Sequence, residues 1–354
     1  MKEGSGAGIW GSGQTIYEDQ EASQNLRWEK AKKVDIGIDG QLFNNSVDFT
    51  IDFFSERRTG IFQQRASIPD EMGLATLPWA NVGEMKSWGA DGNISYTYRF
   101  KNDMSLTGRA NFTYSNNKLL EYEQSGIKYP YQAWKGTPWG TQRGLVALGL
   151  FKDQADIDAS PKQTFTSNVM PGDIKYKDIN GDGIIDMDDR EIVSDGPNPK
   201  FQFGLNLNAA YKGFDFSVLF QGQAGVKVYW QNALANTSTV RFGYQLNKDV
   251  AEGRWVEGRT DAIYPRLLQS QNQINTQMSD FYLENKAFLK IRNIQLGYSL
   301  PKSITKKMQL ERLRFYGSLE NFFTFTSYRG FDPEISGLAY PAMKSAVLGV
   351  NVTF

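Results

Sequence analysis

A segment rich in aspartate, KYKDINGDGIIDMDDRE from Lys175 to Glu191, has the ligand spacing of an EF-hand-type calcium loop. Such a loop takes its ligands from positions one, three, five, seven, nine and twelve, and needs glycine at position six for a sharp turn. When the count starts at Asp178, Gly183 stands at position six. The segment 178–189 therefore predicts a calcium site. Its six ligands would be Asp178, Asn180, Asp182, the carbonyl of Ile184, Asp186 through water, and Asp189.

The neighbourhood of this loop indicates a structural ion and not a calcium sensor. A sensor loop is flanked by helices, whereas here a predicted strand begins soon afterwards, at Phe201. Because ordering a long loop costs conformational entropy, a bound ion could hold its shape. The alternative interpretation is a solvated turn that binds no ion. Calcium is favoured because four carboxylates packed without a cation would repel one another.

The composition of the chain excludes several other kinds of chemistry. Lys and Arg together number 39, as do Asp and Glu, so the net charge is zero and a basic nucleic-acid surface is not expected. Cysteine and histidine are both absent, which leaves oxygen ligands and hence calcium or magnesium for any metal site. No nucleophile elbow, P-loop or dinucleotide fingerprint is present, so we expect no enzyme. The glycine-rich stretch GSGAGIWGSG near Met1 is predicted to be a flexible start.

The elements that must position the loop are strands, because apolar residues recur with a period of two. In FQFGLNLNAAY, residues 201–211, the odd positions are mostly apolar and the even positions mostly polar. About nine such strands are predicted, several of them about ten or more residues long, the length that a transmembrane β-strand needs. The other segments with this pattern are VDIGIDGQL, VDFTIDFF, NISYTYRF, MSLTGRANFTY, FDFSVLFQG, Phe288–Leu300, Leu313–Phe322 and Val347–Phe354.

Short and long connections alternate along the chain, which is typical of an outer-membrane β-barrel. The short ones lie at Asn44-Asn45, Lys101 to Asp103 and Lys212-Gly213, with a modest one from Pro301 to Arg312. The long ones run from about Thr59 to Glu84, Asn117 to Lys200 (loop 118–199, which holds the calcium-type segment), Gly222 to Asn285 and Phe323 to Lys344. We therefore predict an all-β fold, an antiparallel transmembrane barrel wall with long extracellular loops and a periplasmic C-terminus. A soluble β-sandwich with decorated loops is the alternative.

Two further groups of residues are candidates for contact with a substrate or a partner protein. The first comprises polar residues on the strand face opposite the apolar one, which would line a water-filled lumen: Arg109, Asn111, Asn206, Asn208, Arg314 and Glu320. The second is the aromatic cluster in KYPYQAWKGTPWG, which could stack on sugar rings or contact a partner: Tyr129, Tyr131, Trp134 and Trp139. Packing within the loop or a place in an interfacial aromatic belt is the favoured alternative for the cluster.

From Asn25 to Phe354 the chain resembles the SusC/RagA-type TonB-linked outer-membrane proteins (TonB-dependent receptors) of Bacteroidetes. The most specific match is PGDIKYKDINGDGIIDMDDREIVSDGPNPKFQFGLN. Four further segments resemble strands of this family: NLRWEKAKKVDIGIDGQLFNNSVDFTIDFF, NVGEMKSWGADGNISY, FLKIRNIQLGYSLPKSI and LRFYGSLENFFTFTSYRGFDPEI.

The resemblance implies a barrel of about 22 strands around a plug domain, of which residues 1–354 would be the C-terminal part without plug and early strands. Nine strands would form an incomplete barrel with two unpaired edges, so we expect a fragment of a larger unit. The resemblance also implies outer-membrane import of glycans, peptides or other large nutrients. The implied partners are a SusD-like surface lipoprotein, TonB-ExbB-ExbD contacted through the missing N-terminal parts, and the lipids of the Gram-negative outer membrane. The alternative function is a calcium-dependent surface carbohydrate-binding or adhesion β-module.

Overall fold

The architecture was determined as a computed structural model that describes residues 2–8, 11–17, 23, 25–72, 74, 76–229, 248–268, 273–335 and 339–354. Strands dominate it. In chain order they are β1 (Lys2–Gly8), β2 (Gly11–Tyr17), β3 (Lys30–Leu42), β4 (Val47–Gln64), β5 (Trp79–Arg99), β6 (Ser105–Glu121), β7 (Gln142–Gly144), β8 (Ala147–Leu150), β9 (Lys162–Gln163), β10 (Ile174–Tyr176), β11 (Ile184–Ile185), β12 (Glu191–Ser194), β13 (Phe201–Tyr211), β14 (Phe214–Ala224), β15 (Lys227–Tyr229), β16 (Leu283–Asn285), β17 (Phe288–Ser299), β18 (Arg312–Thr326) and β19 (Ser345–Thr353).

Helices in the described residues are short. The α-helices are α1 (Gln154–Asp158), α2 (Lys248–Gly253) and α3 (Lys302–Thr305). The 3-10 helices are Asp70–Met72, Pro130–Gln132, Met187–Asp189, Asp280–Tyr282 and Lys306–Met308. Among the described residues, none of the helices has the length and apolar character needed to cross a membrane.

The nine long strands form one sheet in the order β19-β18-β17-β14-β13-β6-β5-β4-β3, so β19 and β3 are its edges. From β6 to β19 each neighbouring pair is antiparallel. This confirms the predicted all-β, antiparallel sheet of about nine long strands. We call these nine strands the wall sheet.

Several wall strands are longer than the alternating pattern predicted, so the long connections are shorter. β4 continues to Gln64 and β5 begins at Trp79, within the loop predicted from Thr59 to Glu84. The prediction was wrong there because alternation is required only where one face is apolar. At Arg57 and Arg58 both faces of β4 are polar, as the ion pairs of Arg58 with Glu29 (3.1 Å) and Arg57 with Glu84 (2.5 Å) show. The neighbours Ile61 and Phe62 then place apolar side chains on both faces. The backbones of β4 and β5 therefore continue as strands into the predicted loop, although apolar residues no longer alternate with polar ones there. β6 and β18 likewise extend beyond their predicted ends.

The wall sheet has an apolar face and a polar face, and the register keeps them separate across strands. On the apolar face Phe203 pairs with Phe112, and Leu207 pairs with Val218. This face is largely uncovered: Leu348 on β19 is 91% exposed. A sheet that leaves large side chains uncovered along whole strands needs an apolar surrounding.

The glycine-rich start was predicted to be flexible, and the structure differs. Lys2–Gly8 and Gly11–Tyr17 pair as an antiparallel two-stranded sheet. Glycine is disfavoured in strands because its backbone loses more conformational entropy on folding and it has no side chain to pack. Propensity alone therefore gave no signal for these two strands; residues 9 and 10 of the stretch lie outside the described residues.

The chain divides into two units. The first comprises residues 1–35, 54–88 and 116–139, and the second comprises residues 36–53, 89–115 and 140–354. In the second unit the larger cluster of buried hydrophobic side chains lies in the connections between the wall strands. Its buried members are Leu145, Ile174, Tyr176, Ile185, Ile274 and Tyr282. The segment predicted as loop 118–199 thus contains a packed core with six short strands, β7 to β12, and helix α1.

Candidate functional site

The polar face of the wall sheet carries all six strand residues predicted to line a lumen. The register aligns Arg109 on β6 with Asn206 on β13, and Asn206 with Leu219 on β14. Further along the same row Asn293 on β17 pairs with Glu320 on β18. A single row of facing positions therefore runs across these five strands.

A groove of about 620 Å³ brings together three of the six predicted residues, Arg109, Asn111 and Asn206. Asp48, Asn93 and Ser95, which sequence reasoning did not single out, complete its polar lining. Asn206 Oδ1 accepts a hydrogen bond from the Ser217 hydroxyl at 3.3 Å. The groove offers an exposed guanidinium beside amides and one carboxylate, a surface suited to a hydrated polar ligand.

The other three predicted residues lie elsewhere on the polar face. Asn208 lies two residues after Asn206 on β13, where it pairs with Thr107 on β6 and Ser217 on β14. Glu320 accepts a hydrogen bond from the Ser345 hydroxyl at 2.9 Å. Arg314 is buried and donates from Nε to Asp215 at 2.9 Å. Arg314 is therefore committed to an ion pair inside the wall.

Sequence reasoning missed a buried ionic network at the long-loop end of β17. Lys290 is 1% exposed, and its Nζ lies 3.1 Å from both carboxylate oxygens of Asp332. Lys290 also contacts Glu334, which in turn pairs with Arg292. The network ties the connection between β18 and β19 to β17. Two features of the sequence could have indicated this network. Lys290 stands at a polar-face position of a predicted strand, and the acidic segment FDPE follows some forty residues later.

The calcium-type segment lies beside the loop core, on tight turns. Gly183, at the glycine position, has φ of +81°, in the left-handed region that favours glycine. Its N–H donates to Asp178 at 2.8 Å. Ile185 is buried in the core and, with Ile184, pairs in parallel with β9. The backbone therefore follows the sharp turn that the glycine was predicted to supply.

The predicted ligand side chains mostly accept hydrogen bonds from backbone N–H groups of the same segment. Asp189 is fully buried and accepts from Ile179 at 2.8 Å and from Asp186 at 2.9 Å. Asp182 accepts from Ile184 at 2.8 Å, and Asn180 Oδ1 accepts from Asp182 at 2.9 Å. Asp186 accepts from Asp188 at 2.7 Å.

The donor chemistry of this segment fits calcium, whereas its side-chain positions are those of hydrogen-bonded turns. Every predicted ligand is an oxygen, as calcium requires, and each carboxylate oxygen keeps lone pairs beyond the N–H bonds above. Within the described residues, however, no three acidic side chains converge as a metal-binding group. An ion would therefore have to draw the carboxylates of Asp178, Asp182 and Asp186 inward.

Charged and phenolic groups stabilise the core behind this segment. Asp173 is fully buried and accepts from Arg266 Nε at 2.7 Å and from Asn275 Nδ2 at 2.9 Å. Burial raises the pKa of Tyr229 to about 12 and raises that of Tyr176 well above its ordinary value. Both phenols therefore remain protonated at neutral pH.

The aromatic cluster, in the first unit, does not form one surface. Tyr129 and Tyr131 stack face to face, with ring centroids 5.3 Å apart and an interplanar angle of 5°. Trp134 packs edge to face on Tyr122 within the loop, at 6.4 Å. Trp139 is 49% exposed. Packing within the loop thus accounts for Trp134 and for the tyrosine pair, and Trp139 is left as the exposed ring.

Comparison with known proteins identifies this architecture. A model of the family described as TonB dependent receptor-like, beta-barrel matches residues 4–322. TonB-dependent receptor P3 of Formosa agariphila is 25% identical over 363 residues, which cover 94% of this chain and 35% of that protein. TonB-dependent receptor SusC of Bacteroides thetaiotaomicron is 25% identical over 353 residues, which cover 94% of this chain and 32% of SusC.

A solved structure of the RagAB peptide transporter has the same fold. It matches with a TM-score of 0.73 and 22% identity, over 100% of this chain and 38% of that chain. The present chain therefore spans about a third of the length of the relatives it matches, as the shares of 35% and 32% show.

Proposed function

Because the chain belongs to the TonB-dependent receptor-like β-barrel family, we propose that it supplies nine strands of the wall of an outer-membrane importer of large nutrients. The wall sheet would lie in the outer membrane with its apolar face towards lipid and its polar face towards the lumen. Its long connections would be extracellular, and its short turns and C-terminus periplasmic.

The observation that carries this proposal is the separation of the two faces across the register. Large apolar side chains are exposed on one face, among them Val350 at 53% and Phe315 at 48%. The groove with Arg109 and Asn206 lies on the other face. A soluble carbohydrate-binding or adhesion module, the alternative, would not keep such a face uncovered.

We propose glycans or peptides as the imported class, with the polar groove contacting them. The resemblance to SusC/RagA-type proteins implies this class, and the shared fold with the RagAB peptide transporter supports peptides within it. Arg109 is exposed and, in the part of the chain that the structure describes, makes no ion pair, so its guanidinium is available to a passing ligand. A SusD-like surface lipoprotein would close the extracellular side, and TonB-ExbB-ExbD would supply energy.

We further propose that the segment 178–189 binds a structural calcium ion. Asp178, Asn180, Asp182, the Ile184 carbonyl, Asp186 and Asp189 would hold it. The ion would neutralise the carboxylates and stabilise the turn above the loop core. The left-handed turn at Gly183 and the all-oxygen donor set support this assignment.

Uptake measured in the native host would test the importer. Cells carrying Arg109→Gln or Asn206→Ala should take up labelled oligosaccharides or peptides several-fold more slowly than wild-type cells. Lys101→Gln, in the short turn outside the groove, serves as the charge-matched control and should leave uptake unchanged. Heat-modifiable migration on gels should show equal amounts of folded barrel in all strains.

Two results would contradict the proposal. One is extraction of the protein as a soluble, monodisperse species without detergent, which would favour the adhesion module. The other is uptake that remains at the wild-type rate when the gene is deleted.

A further inference from the structure

The connection between β17 and β18, at the short-turn end of the wall sheet, is a helical turn that exposes both cationic and apolar side chains. α3 (Lys302–Thr305) continues into the 3-10 helix Lys306–Met308, and the turn ends at Gln309, with φ of +54°. Thr305 is 1% exposed, so its side of the turn packs inward. The turn is therefore a fixed surface element.

The turn exposes three lysines. Lys302 and Lys306 are four residues apart and share a helix side, and Lys307 follows directly. All three are exposed, and in the described portion of the chain none of their ammonium groups makes an ion pair. Three lysines so close in the chain concentrate positive charge, which attracts an anionic surface.

The turn also exposes two apolar side chains. Ile304 is 44% exposed and Met308 is 51% exposed, and they too are four residues apart. A turn that exposes cations beside uncovered aliphatic groups matches the boundary between headgroups and acyl chains.

Aromatic rings lie at the strand ends that adjoin this turn. Phe214 and Tyr298, at the short-turn ends of their strands, pair with ring centroids 4.5 Å apart. Phe315 on β18 is 48% exposed on the same face. α3 packs against β18, and Leu313 at the start of that strand is buried although it belongs to the apolar face. Aromatic rings at strand ends mark the membrane–water interface.

We propose that this turn is a binding site for anionic phospholipid in the leaflet that meets the short-turn end of the wall. The ammonium groups of Lys302, Lys306 and Lys307 contact the lipid phosphates, and Ile304 and Met308 insert among the upper acyl carbons. The inference rests on the proposed place of the wall in a membrane. Charge complementarity selects a lipid with net negative charge, such as phosphatidylglycerol, over zwitterionic phosphatidylethanolamine.

Lipid retention tests the site directly. The full-length outer-membrane protein is equilibrated in detergent micelles with equal amounts of phosphatidylglycerol and phosphatidylethanolamine, and retained lipids are counted by native mass spectrometry. The wild type should retain phosphatidylglycerol preferentially. Lys302→Gln, Lys306→Gln and Lys307→Gln combined should reduce that preference roughly ten- to hundred-fold, given the attraction of each lysine for an anionic surface.

Two matched variants isolate the cause. Arginine at the same three positions should preserve the preference. Glutamine at Lys152, Lys162 and Lys248, exposed lysines in the long connections, should also preserve it. Heat-modifiable migration verifies that each variant is folded.

The proposal is overturned if the Lys302, Lys306 and Lys307 glutamine variant retains phosphatidylglycerol like the wild type, or if the Lys152, Lys162 and Lys248 variant loses it equally. It is also overturned if the glutamine variant keeps its lipids and instead loses a crosslink to an acidic protein in intact cells. Failure of the wild type to enter the outer membrane contradicts the importer. Membrane insertion without a lysine-dependent lipid preference contradicts only the lipid site.

Discussion

Arg314 on β18 and Asp215 on β14 form an ion pair that crosses the strand lying between them. Arg314 Nε donates to Asp215 Oδ1 at 2.9 Å. The intervening strand, β17, places Gly297 directly opposite Asp215. A Cβ atom on Gly297 would lie 2.6 Å from Arg314 Nε, closer than atoms can approach. The glycine therefore makes the ion pair possible, and the pair links three wall strands.

Gly297→Ala should accordingly separate Arg314 from Asp215 and destabilise the wall. Since Arg314 is buried, the loss should be about 1–3 kcal/mol in the free energy of unfolding. A urea titration that follows heat-modifiable migration measures it. Gly108→Ala is the matched control, because the added Cβ would be at an ordinary 3.4 Å from Leu207. Equal unfolding midpoints for the two variants would show that the pair contributes nothing.

The face of Arg314 could be predicted from the alternation, but its partner could not. Asp215 lies two strands away, and the register between β14 and β17 shifts at Leu219/Phe220. A bulge adds one residue to one strand without any local signature in a single sequence. The wall sheet as a whole was predictable, since period-two alternation needs no knowledge of register.

Lys290→Met should release the connection between β18 and β19 from the wall. Methionine keeps the length of the buried side chain but leaves Asp332 and Glu334 without their shared cation. Breaking a buried pair in this way costs about 3–5 kcal/mol. Limited proteolysis should then cleave the segment around Asp332 faster than in the wild type. Lys344→Met, at an exposed position in the same connection, is the control and should leave the cleavage rate unchanged.

The same network predicts a loss of stability in acid. Burial alone would raise the pKa of Asp332, but the Glu334 N–H and the Lys290 ammonium outweigh it, and the net pKa lies below its usual value. A carboxyl group with a lowered folded-state pKa stabilises the fold above its unfolded pKa of about 3.9. That stability disappears as pH falls through the folded-state pKa. Unfolding midpoints between pH 6 and pH 3 should fall for the wild type and fall less for Asp332→Asn.

At alkaline pH the loop core should lose stability because its buried tyrosines ionise. Burial raises the pKa of Tyr229 to about 12, whereas an unfolded tyrosine ionises near 10. The protonated phenol is thus retained longer in the folded state, so stability holds below about pH 10 and declines as pH rises towards 12. Absorbance of tyrosinate at 295 nm should show delayed ionisation in the folded protein, and Tyr229→Phe should remove part of the delay. Ionisation of all tyrosines near pH 10 in the folded state would refute the role of burial.

For the calcium-type segment, the turn could be predicted from sequence and the side-chain directions could not. Glycine at position six specifies a left-handed backbone wherever the loop occurs. Whether a carboxylate points to an ion or to a neighbouring N–H depends on torsions that one sequence does not determine. The bond from the Ile184 N–H to Asp182 is such a case. Experiment must therefore distinguish a calcium loop from a hydrogen-bonded turn.

Calcium titrated into the chelator-treated full-length protein should release or absorb heat with a midpoint of about 0.1–1 mM, the range of extracellular sites. Asp182→Ala removes one expected ligand and the Ile184 contact, so the heat should largely disappear. Asp158→Ala, an exposed aspartate at the end of α1, removes the same charge outside the segment and should leave the heat unchanged. Because a bound ion stabilises only the folded loop, calcium should also slow proteolysis between residues 178 and 189 in the wild type. Absence of calcium heat up to several millimolar would mean that the backbone N–H groups alone satisfy these carboxylates, and that the segment is a turn without an ion.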